Sequence, residues 1–386
     1  TEAGVLSVVV PMTVDETSYF NPGFVYQVNI NFNTEGAIAN IVLQSGDEHY
    51  LDLSSGVDLS VGDGEDGTDD GVAGNDFEYG LANCYIISSE MMRRKDGEYY
   101  DGYAFSATTV GNVRSEIEKE FASDRTSKKI DPVRAGLLWE STLGLITQVE
   151  YLYGYVRFKV QPPKIKDGDD NWIANPLYRQ GNAVIAAYDS QRKVLWSWHI
   201  WVTDETPKPV TYTVQVADGT SAVFTLLDRN LGATAATLPN DDITESDILA
   251  TYGLYYQWGR KDPSMGPSKS DYRPQSTVTQ EYYDYFGSKW NYAGVVTIDR
   301  PGIKDGVENP MYLILPTDFS MTTYQYDWLY TSIDNLWGDE KTKTIYDPCP
   351  YNCLLIKYMN KNKKKNYHLD SSLKSYYSSV LTASSA

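Results

Sequence analysis

The stretch "KVLWSWHIWVTD" (residues 193–204) concentrates three tryptophans and a histidine in one short segment. Side chains of a β-strand point alternately to its two sides. One side is apolar throughout: Val194, Trp196, Trp198, Ile200 and Val202. A strand of this pattern packs one side into a hydrophobic core, so we expect it in the core of a β-sandwich.

The opposite side of this strand is mixed: Leu195, Ser197, His199, Trp201 and Thr203. The other two histidines, His49 and His368, lie in distant regions of the chain, which disfavours a histidine-based triad or metal site. We therefore interpret His199 as a hydrogen-bonded structural residue. We interpret Trp196, Trp198 and Trp201 as core; a glycan-stacking platform is the alternative.

Strand patterns recur along the chain and predict a mainly β fold. "FVYQVNINFN" (24–33) alternates apolar and polar residues, and further short strand-like segments follow between Leu81 and Thr206. The turn residues Asp189 to Arg192 predict a hairpin that joins the last two of these strands. Several short strands at this spacing are typical of a β-sandwich.

Charge and composition exclude several classes of partner. The net charge of −19 disfavours nucleic acid and anionic membrane surfaces. No apolar run approaches the roughly 20 residues of a membrane span. Three cysteines do not make a disulfide framework: Cys84 reads as a buried thiol, whereas Cys349 and Cys353 lie close enough in sequence to pair. Their surroundings do not suggest zinc, and we expect no cofactor or metal.

The segment "VGDGEDGTDDGVAGND" (61–76) has no apolar periodicity and predicts an acidic linker. Gly62, Gly64 and Gly67 satisfy a dinucleotide-binding pattern, but the acidic residues between them would repel a pyrophosphate. The spacing of the aspartates does not match an EF-hand, so weak calcium binding stays the alternative to a plain linker.

No recognised catalytic motif is present, so we expect a protein that is not an enzyme and nominate no catalytic residue. A spatial pair of carboxylates, as in a glycoside hydrolase, is the alternative that sequence leaves open. Asp228 and Arg229 in "LLDRNLG" predict an ion pair that holds a turn. The aromatic and basic residues of "LYYQWGR" are candidates for a sugar-binding site, with core packing as the alternative: Tyr255, Tyr256, Trp258 and Arg260.

Segments between residues 78 and 350 resemble two protein families, one after the other along the chain. "LANCYII", "GYAFSATTVGN" and "GNAVIAAYDSQRKVLWSWHIWVTD" resemble the fimbrillin-like (Mfa-like) cell-surface proteins of Bacteroidales. "LLDRNLGATAA", "YGLYYQWGRKDP" and "YDPCP" resemble the Fibrobacter succinogenes major paralogous domain, which has a C-type-lectin-like α+β fold. In that family the last motif continues into a Gly-aromatic-Arg-Val-Pro segment, whereas here a lysine-rich tail begins at Tyr351. The resemblance thus implies an incomplete lectin-like domain.

The predicted organisation has five segments. They are the end of a fimbrillin-like β-domain (1–58), an acidic linker (59–77), a β-sandwich domain (78–206), the incomplete C-type-lectin-like domain (207–350) and a basic Lys/Asn tail (351–386), for which a non-native terminus is the alternative.

The resemblance implies a non-enzymatic adhesin, as a minor or tip-like subunit of a fimbria. Its partners would be other fimbrial subunits, joined by β-strand addition, and a host or dietary glycan. The alternative is a glycan-binding surface lipoprotein that captures polysaccharide. The chain starts at Thr1 without a signal peptide, and we expect the exported form, at the cell surface or in a fimbria.

Overall fold

The computed structural model describes residues 25–33, 36–44, 48–56, 58–61, 81–108, 110, 130–152, 154–215, 221–264, 281–290, 294–317, 327–333, 336–338, 344–351, 353–355 and 382–384. The strands in these residues are β1 (Val25–Asn33), β2 (Gly36–Gln44), β3 (Glu48–Asp52), β4 (Asp58–Val61), β5 (Cys84–Ser88), β6 (Gly102–Ser106), β7 (Arg134–Glu140), β8 (Thr147–Leu152), β9 (Tyr155–Lys159), β10 (Lys164–Lys166), β11 (Trp172–Ala174), β12 (Gly181–Tyr188), β13 (Val194–Thr203), β14 (Pro209–Gln215), β15 (Ser221–Leu227), β16 (Tyr282–Asp284), β17 (Lys289–Trp290), β18 (Gly294–Ile298), β19 (Tyr312–Pro316), β20 (Cys353–Leu355) and β21 (Thr382–Ser384). The helices are α1 (Glu245–Ala250) and α2 (Ile303–Glu308). The predicted mainly β fold is confirmed.

Two larger sheets carry the core. One has six strands in the order β17-β16-β7-β12-β13-β5, and the other has five in the order β4-β3-β6-β9-β8. Neighbours are antiparallel except for β13 with β5 and β3 with β6, which run parallel. The remaining described strands form two-stranded pairs.

Aromatic side chains join the two sheets face to face. The ring of Phe105 on β6 lies 4.9 Å from that of Trp198 on β13 and 4.8 Å from that of Tyr85 on β5. All three side chains are buried. Full burial of one large apolar side chain stabilises a fold by about 1.5–3 kcal/mol, so these contacts are a principal term in holding the layers together.

The hairpin predicted at Asp189 to Arg192 is confirmed, with β12 and β13 as its arms. The carboxylate Oδ1 of Asp189 accepts the backbone N–H groups of Gln191 at 2.9 Å and Lys193 at 2.8 Å. Arg192 takes a positive φ of 69°. An aspartate that bonds the backbone two residues ahead closes a turn of this kind, which is why the sequence signal was sufficient.

Both sides of β13 are buried, including the mixed one, where Ser197, His199 and Thr203 are nearly inaccessible to solvent. Described residues of 207–350, here called the C-terminal region, bond to this side: the side chains of Lys261 and Asp262 bond to Ser197, and the carbonyl of Thr234 accepts the hydroxyl of Thr203. Such a double-sided strand has the long buried run usual for the centre of a layered domain.

The sheets cross two of the predicted domain boundaries. Strands β3 and β4, assigned from sequence mostly to a preceding domain, form the β4-β3 edge of the five-stranded sheet. Strands β16 and β17, assigned to the lectin-like domain, extend the six-stranded sheet beyond β7. Hydrogen-bonded sheet thus runs through residues on both sides of positions 58 and 206.

Both described helices lie in the region 207–350, which therefore combines helix and strand. Helix α1 begins with a capping box: Thr244 Oγ1 accepts the N–H of Asp247, whose carboxylate accepts the N–H of Thr244. The C-type-lectin-like fold of this region stays a prediction.

Three further predictions concern the acidic linker, the basic tail and the cysteines. Residues 62–77 of the predicted acidic linker (59–77) lie outside the described residues, as do 352, 356–381 and 385–386 of the basic tail. Cys84, Cys349 and Cys353 are all buried, and none of them forms a disulfide.

Candidate ligand site

The sequence-predicted sugar-binding residues do not share one open surface. Tyr256 is 1% exposed and Arg260 is 5% exposed, so neither is accessible to a ligand from solvent. Trp258 is half-buried, with its ring 4.6 Å from that of Trp337. Tyr255 is also half-buried and pairs through its backbone with Ser264.

Arg260 instead donates hydrogen bonds to several backbone carbonyl groups of the C-terminal region. Its Nη2 donates to the carbonyl oxygens of Gly306 at 3.0 Å and Asn309 at 2.7 Å, and its Nη1 donates to Gln257 Oε1 and to the carbonyl of Tyr312. Burial lowers the pKa of Arg260 to about 10, and the guanidinium stays protonated at neutral pH. A planar fork with five donors suits this role, which a single ammonium cannot fill.

The predicted core residues lie as follows. Trp196, Trp198 and Trp201 are buried, and the Nε1 of Trp196 donates to Asn83 Oδ1 at 3.0 Å. Arg229 is buried and pairs with half-buried Asp228 at 2.8 Å between Nε and Oδ1.

His199 is buried at the contact between β13 and the C-terminal region. Its Nε2 lies 2.9 Å from Asn182 Oδ1, and the amide of Asn182 donates in turn to the carbonyl of Gly232 at 2.8 Å. Because its partner is a carbonyl oxygen, Nε2 carries the proton. Burial lowers the pKa of His199 to about 3, so the ring is neutral under ordinary conditions.

A second buried group, here called the polar junction, consists of Ser197, Lys261 and Asp262. Lys261 Nζ lies 2.6 Å from both Ser197 Oγ and Asp262 Oδ1, and 4.6 Å from the ring centre of Trp196. A serine beside a lysine can form a nucleophile and base. Here, however, the lysine and aspartate side chains are only 2% and 3% exposed, which leaves no approach for a substrate. The polar junction therefore fastens the C-terminal region to β13.

A small cavity of about 20 Å³, here called the aromatic cleft, lies elsewhere in the molecule. It lies where β16, β17 and β7 meet the segment after Asp262. Its lining residues are Trp139, Pro263, Ser264, Tyr282, Tyr283, Asp284, Trp290 and Met311. A cavity of this size has room for about one water molecule and for no larger ligand.

Sheet pairing positions the aromatic rings of the cleft. Asp284 pairs with Trp139 across β16 and β7, and Tyr282 pairs with Trp290 across β16 and β17. The rings of Trp139 and Tyr282 meet edge to face at 4.9 Å. Because these residues lie on hydrogen-bonded strands, the walls of the cleft are set by the sheet.

The turn between β16 and β17 completes one wall. Asp284 Oδ1 accepts the backbone N–H groups of Phe286 at 2.9 Å and Ser288 at 2.8 Å, and its Oδ2 accepts Trp290 Nε1 at 3.3 Å. Next to Asp284 in the chain, Tyr285 is 68% exposed and Phe286 86% exposed. A structured turn thus presents two bare aromatic rings to solvent.

Tyr255 is the one predicted site residue tied to this cleft. Its backbone N–H donates to the carbonyl of Ser264 at 3.2 Å, and its own carbonyl accepts the N–H of Ser264 at 2.7 Å and its hydroxyl at 3.0 Å. The "LYYQWGR" segment therefore supports a wall of the cleft, although other residues form the surface. Sequence reasoning missed these residues; the signal available was the aromatic density of "EYYDYFGSKW" (281–290).

Within the described ranges, no cluster of three or more histidine, cysteine, aspartate or glutamate side chains is arranged to hold a metal ion. The same residues include no helix long and apolar enough to cross a membrane.

Comparison with known proteins gives no neighbour for this chain. No protein-family model, no curated protein sequence and no solved structure matches it. The structure itself shows a mainly β protein with two packed sheets and an aromatic cleft.

Proposed function

We propose that this chain is a non-enzymatic adhesin of the fimbrillin-like type, exported to the cell surface as a minor or tip-like fimbrial subunit. The sequence motifs resembling that family support the proposal. The mainly β architecture agrees with it.

The observation that carries the proposal is the way the C-terminal region is bonded to the sheets. Asn83, beside β5, donates its amide to the carbonyl oxygens of Ile345 at 2.6 Å and Asp347 at 2.8 Å, across more than 260 residues of chain. The polar junction makes a second buried connection at β13. Buried, fully partnered networks rigidify a structure. A subunit that bears force in a fibre needs such connections between segments that lie far apart in its sequence.

Incorporation into fibres tests this proposal. Fibres are sheared from cells that express the full chain, separated from monomer by ultracentrifugation, and probed with an antibody to the chain. We expect the chain in the fibre fraction, and the Trp290→Ala variant should enter it equally because the cleft is not needed for assembly. Detection of the chain only as monomer would refute the fimbrial proposal.

A glycan-binding surface lipoprotein that captures polysaccharide is the second candidate. The exposed rings of Tyr285 and Phe286, next in the chain to Asp284, favour it, because flat aromatic rings beside a carboxylate suit the apolar face and hydroxyl edge of a sugar. The two functions are separable, since the first requires assembly with other subunits and the second requires only a ligand.

A further inference from the structure

The turn between β16 and β17, residues 284–288 and here called the aromatic turn, carries two aromatic rings that lie outside the core. We propose that the aromatic turn is the contact surface for a neutral polysaccharide, with the rings of Tyr285 and Phe286 stacking on its sugars. This inference rests on the glycan-binding function given above as the second candidate and deepens it. The contact lies on the open surface, because the aromatic cleft admits no more than a water molecule.

Exposure of the two rings is the first observation. Tyr285 is 68% exposed and Phe286 is 86% exposed. Among the aromatic side chains that the structure describes, the next is Tyr212 with 46%. Large apolar side chains gain free energy by leaving water, so rings held this far out contribute little to folding and are available to a ligand.

The turn holds these rings on an ordered backbone. The N–H of Asp284 donates to the carbonyl of Ser288 at 3.0 Å, and the N–H of Gly287 donates to the carbonyl of Asp284 at 2.8 Å. The carboxylate of Asp284 accepts two further N–H groups within the turn. Gly287 supplies the left-handed φ of +73° that the turn requires. A surface that is ordered before binding loses less conformational entropy when a ligand arrives.

A neighbouring turn widens the apolar surface. A Cβ added at Gly287 would lie 3.5 Å from Cδ1 of Leu143, which belongs to the turn between β7 and β8. Leu143 is itself 59% exposed. The two turns therefore form one apolar surface at this end of the six-stranded sheet.

The area of this surface favours a sugar over a protein. Phenylalanine and tyrosine each bury about 150–250 Å² when fully covered, so the exposed parts of Tyr285 and Phe286 offer roughly 300 Å². A stable protein interface takes about 800 Å² from each partner. A pyranose needs only one ring, because its carbon–hydrogen face is apolar and packs flat on an aromatic side chain.

Polar groups border the rings, as the hydroxyl edge of a sugar requires. Ser288 is exposed and carries a hydroxyl, and Tyr285 carries a second one. Oδ2 of Asp284 accepts Nε1 of Trp290 at 3.3 Å, and a carboxylate oxygen has capacity for a further donor. Sugar hydroxyl groups thus find both donors and acceptors beside the stacking surface.

Charge favours a neutral polysaccharide. Lys289 forms an ion pair with Glu281, whose carboxylate also accepts the hydroxyl of Tyr283 at 3.2 Å. Asp284 adds a second carboxylate, so residues 281–290 carry more negative than positive charge, and the whole chain carries −19. A sulfated or uronic polysaccharide would bring further negative charge to this surface, which is unfavourable.

Affinity electrophoresis of the full chain tests the proposal. Each native gel contains one soluble polysaccharide: the neutral probes are an α-glucan, a β-glucan, a xylan and a galactomannan, and the anionic probes are polygalacturonate and chondroitin sulfate. We expect at least one neutral probe to retard the wild type and neither anionic probe to do so. Tyr285→Ala and Phe286→Ala should each weaken this binding by about threefold to tenfold, and the double variant by about tenfold or more.

Two more variants separate ring stacking from general apolar contact. Phe286→Leu keeps an apolar side chain but removes the flat ring, so it should weaken binding about as much as Phe286→Ala does. Tyr212→Ala is the matched control, because Tyr212 is an exposed tyrosine on the separate β14–β15 pair, and its affinity should equal that of the wild type. All of these side chains are exposed, so every variant should melt close to the wild type.

The outcomes separate the site from the function. A neutral polysaccharide that retards the wild type and the double variant equally would overturn the aromatic turn as the site and leave glycan binding intact. No retardation by any neutral probe would overturn both, and stronger retardation by an anionic probe would overturn the ligand class. Wild-type affinity in Phe286→Leu would overturn ring stacking. A dimer of the wild type in analytical ultracentrifugation that the double variant does not form would assign the turn to self-association instead.

Discussion

Removal of one charge from the polar junction is the most direct test of how the C-terminal region is attached. Lys261→Met keeps the length of the side chain but leaves Asp262 as a buried carboxylate without its cation. The two side chains are 2% and 3% exposed, with Nζ and Oδ1 at 2.6 Å. Breaking such a buried pair at one partner destabilises a protein by about 3–5 kcal/mol, because an uncompensated charge stays out of water.

The structure supplies a matched control on the surface. Lys166 pairs with Glu98 at 2.8 Å and with Asp170 at 3.0 Å, but its side chain is 36% exposed. Exposed pairs contribute about 0–1 kcal/mol, so Lys166→Met should be nearly neutral. The double variant Lys261→Met with Asp262→Leu removes both buried charges and should recover most of the stability lost by the single variant.

Thermal unfolding followed by tryptophan fluorescence measures these effects. With an unfolding entropy of about 2.1 cal/mol/K per residue, a loss of 3–5 kcal/mol corresponds to a melting-temperature decrease of roughly 4–6 °C in a chain of 386 residues. Urea midpoints at 25 °C provide a second measurement. If Lys261→Met lowered the melting temperature by no more than Lys166→Met does, the polar junction would not be a desolvated ion pair and our reading of the attachment would be wrong.

Three further variants probe other parts of the same region. The pKa of His199 is about 3 in the folded chain and about 6.5 in the unfolded chain, so the free energy of unfolding falls as the pH drops from 6.5 towards 3. Between pH 7 and 4.5 the wild type should therefore lose about 2–3 kcal/mol of stability that His199→Gln does not lose. Identical urea midpoint profiles for the two proteins would contradict this. Arg260→Lys should lose about 3 kcal/mol in urea denaturation, since one ammonium cannot reach the same carbonyl oxygens, whereas exposed Arg179→Lys should change stability by less than about 0.5 kcal/mol. Gly259→Ala should lower the free energy of unfolding by about 2–4 kcal/mol, because φ is +84° and the new Cβ would lie 2.8 Å from Leu336 Cδ2. Its control, Gly144→Ala, has φ +79° and no atom within 4 Å of the new Cβ, so it should lower that free energy by only about 1 kcal/mol. Equal melting temperatures for the two variants would show that the clash at Leu336 is relieved.

Local patterns were enough for the strands and turns. The period of two in β13, the turn chemistry of Asp189 and the aromatic-rich composition each predict a mainly β chain without knowledge of any distant residue. Each depends on interactions within a few residues, and the structure agrees with all of them.

The role of Arg260 could not be read from its neighbours in sequence. An arginine beside two tyrosines and a tryptophan suggests an exposed sugar site, yet its guanidinium is buried among carbonyl oxygens of residues 306, 309 and 312. Those acceptors lie about 50 positions away, and only the fold brings them together.

The sequence alone determined the strand period of β13, its hairpin with β12 and the mainly β class, because these follow from backbone geometry and local side-chain alternation. The tertiary structure alone decided that the mixed side of β13 is buried beneath Lys261 and Asp262, and that Trp139, Tyr282 and Trp290 meet in one cleft. The physical reason is that burial and pairing of distant segments depend on the free energy of the whole packed chain, to which no short window of sequence has access.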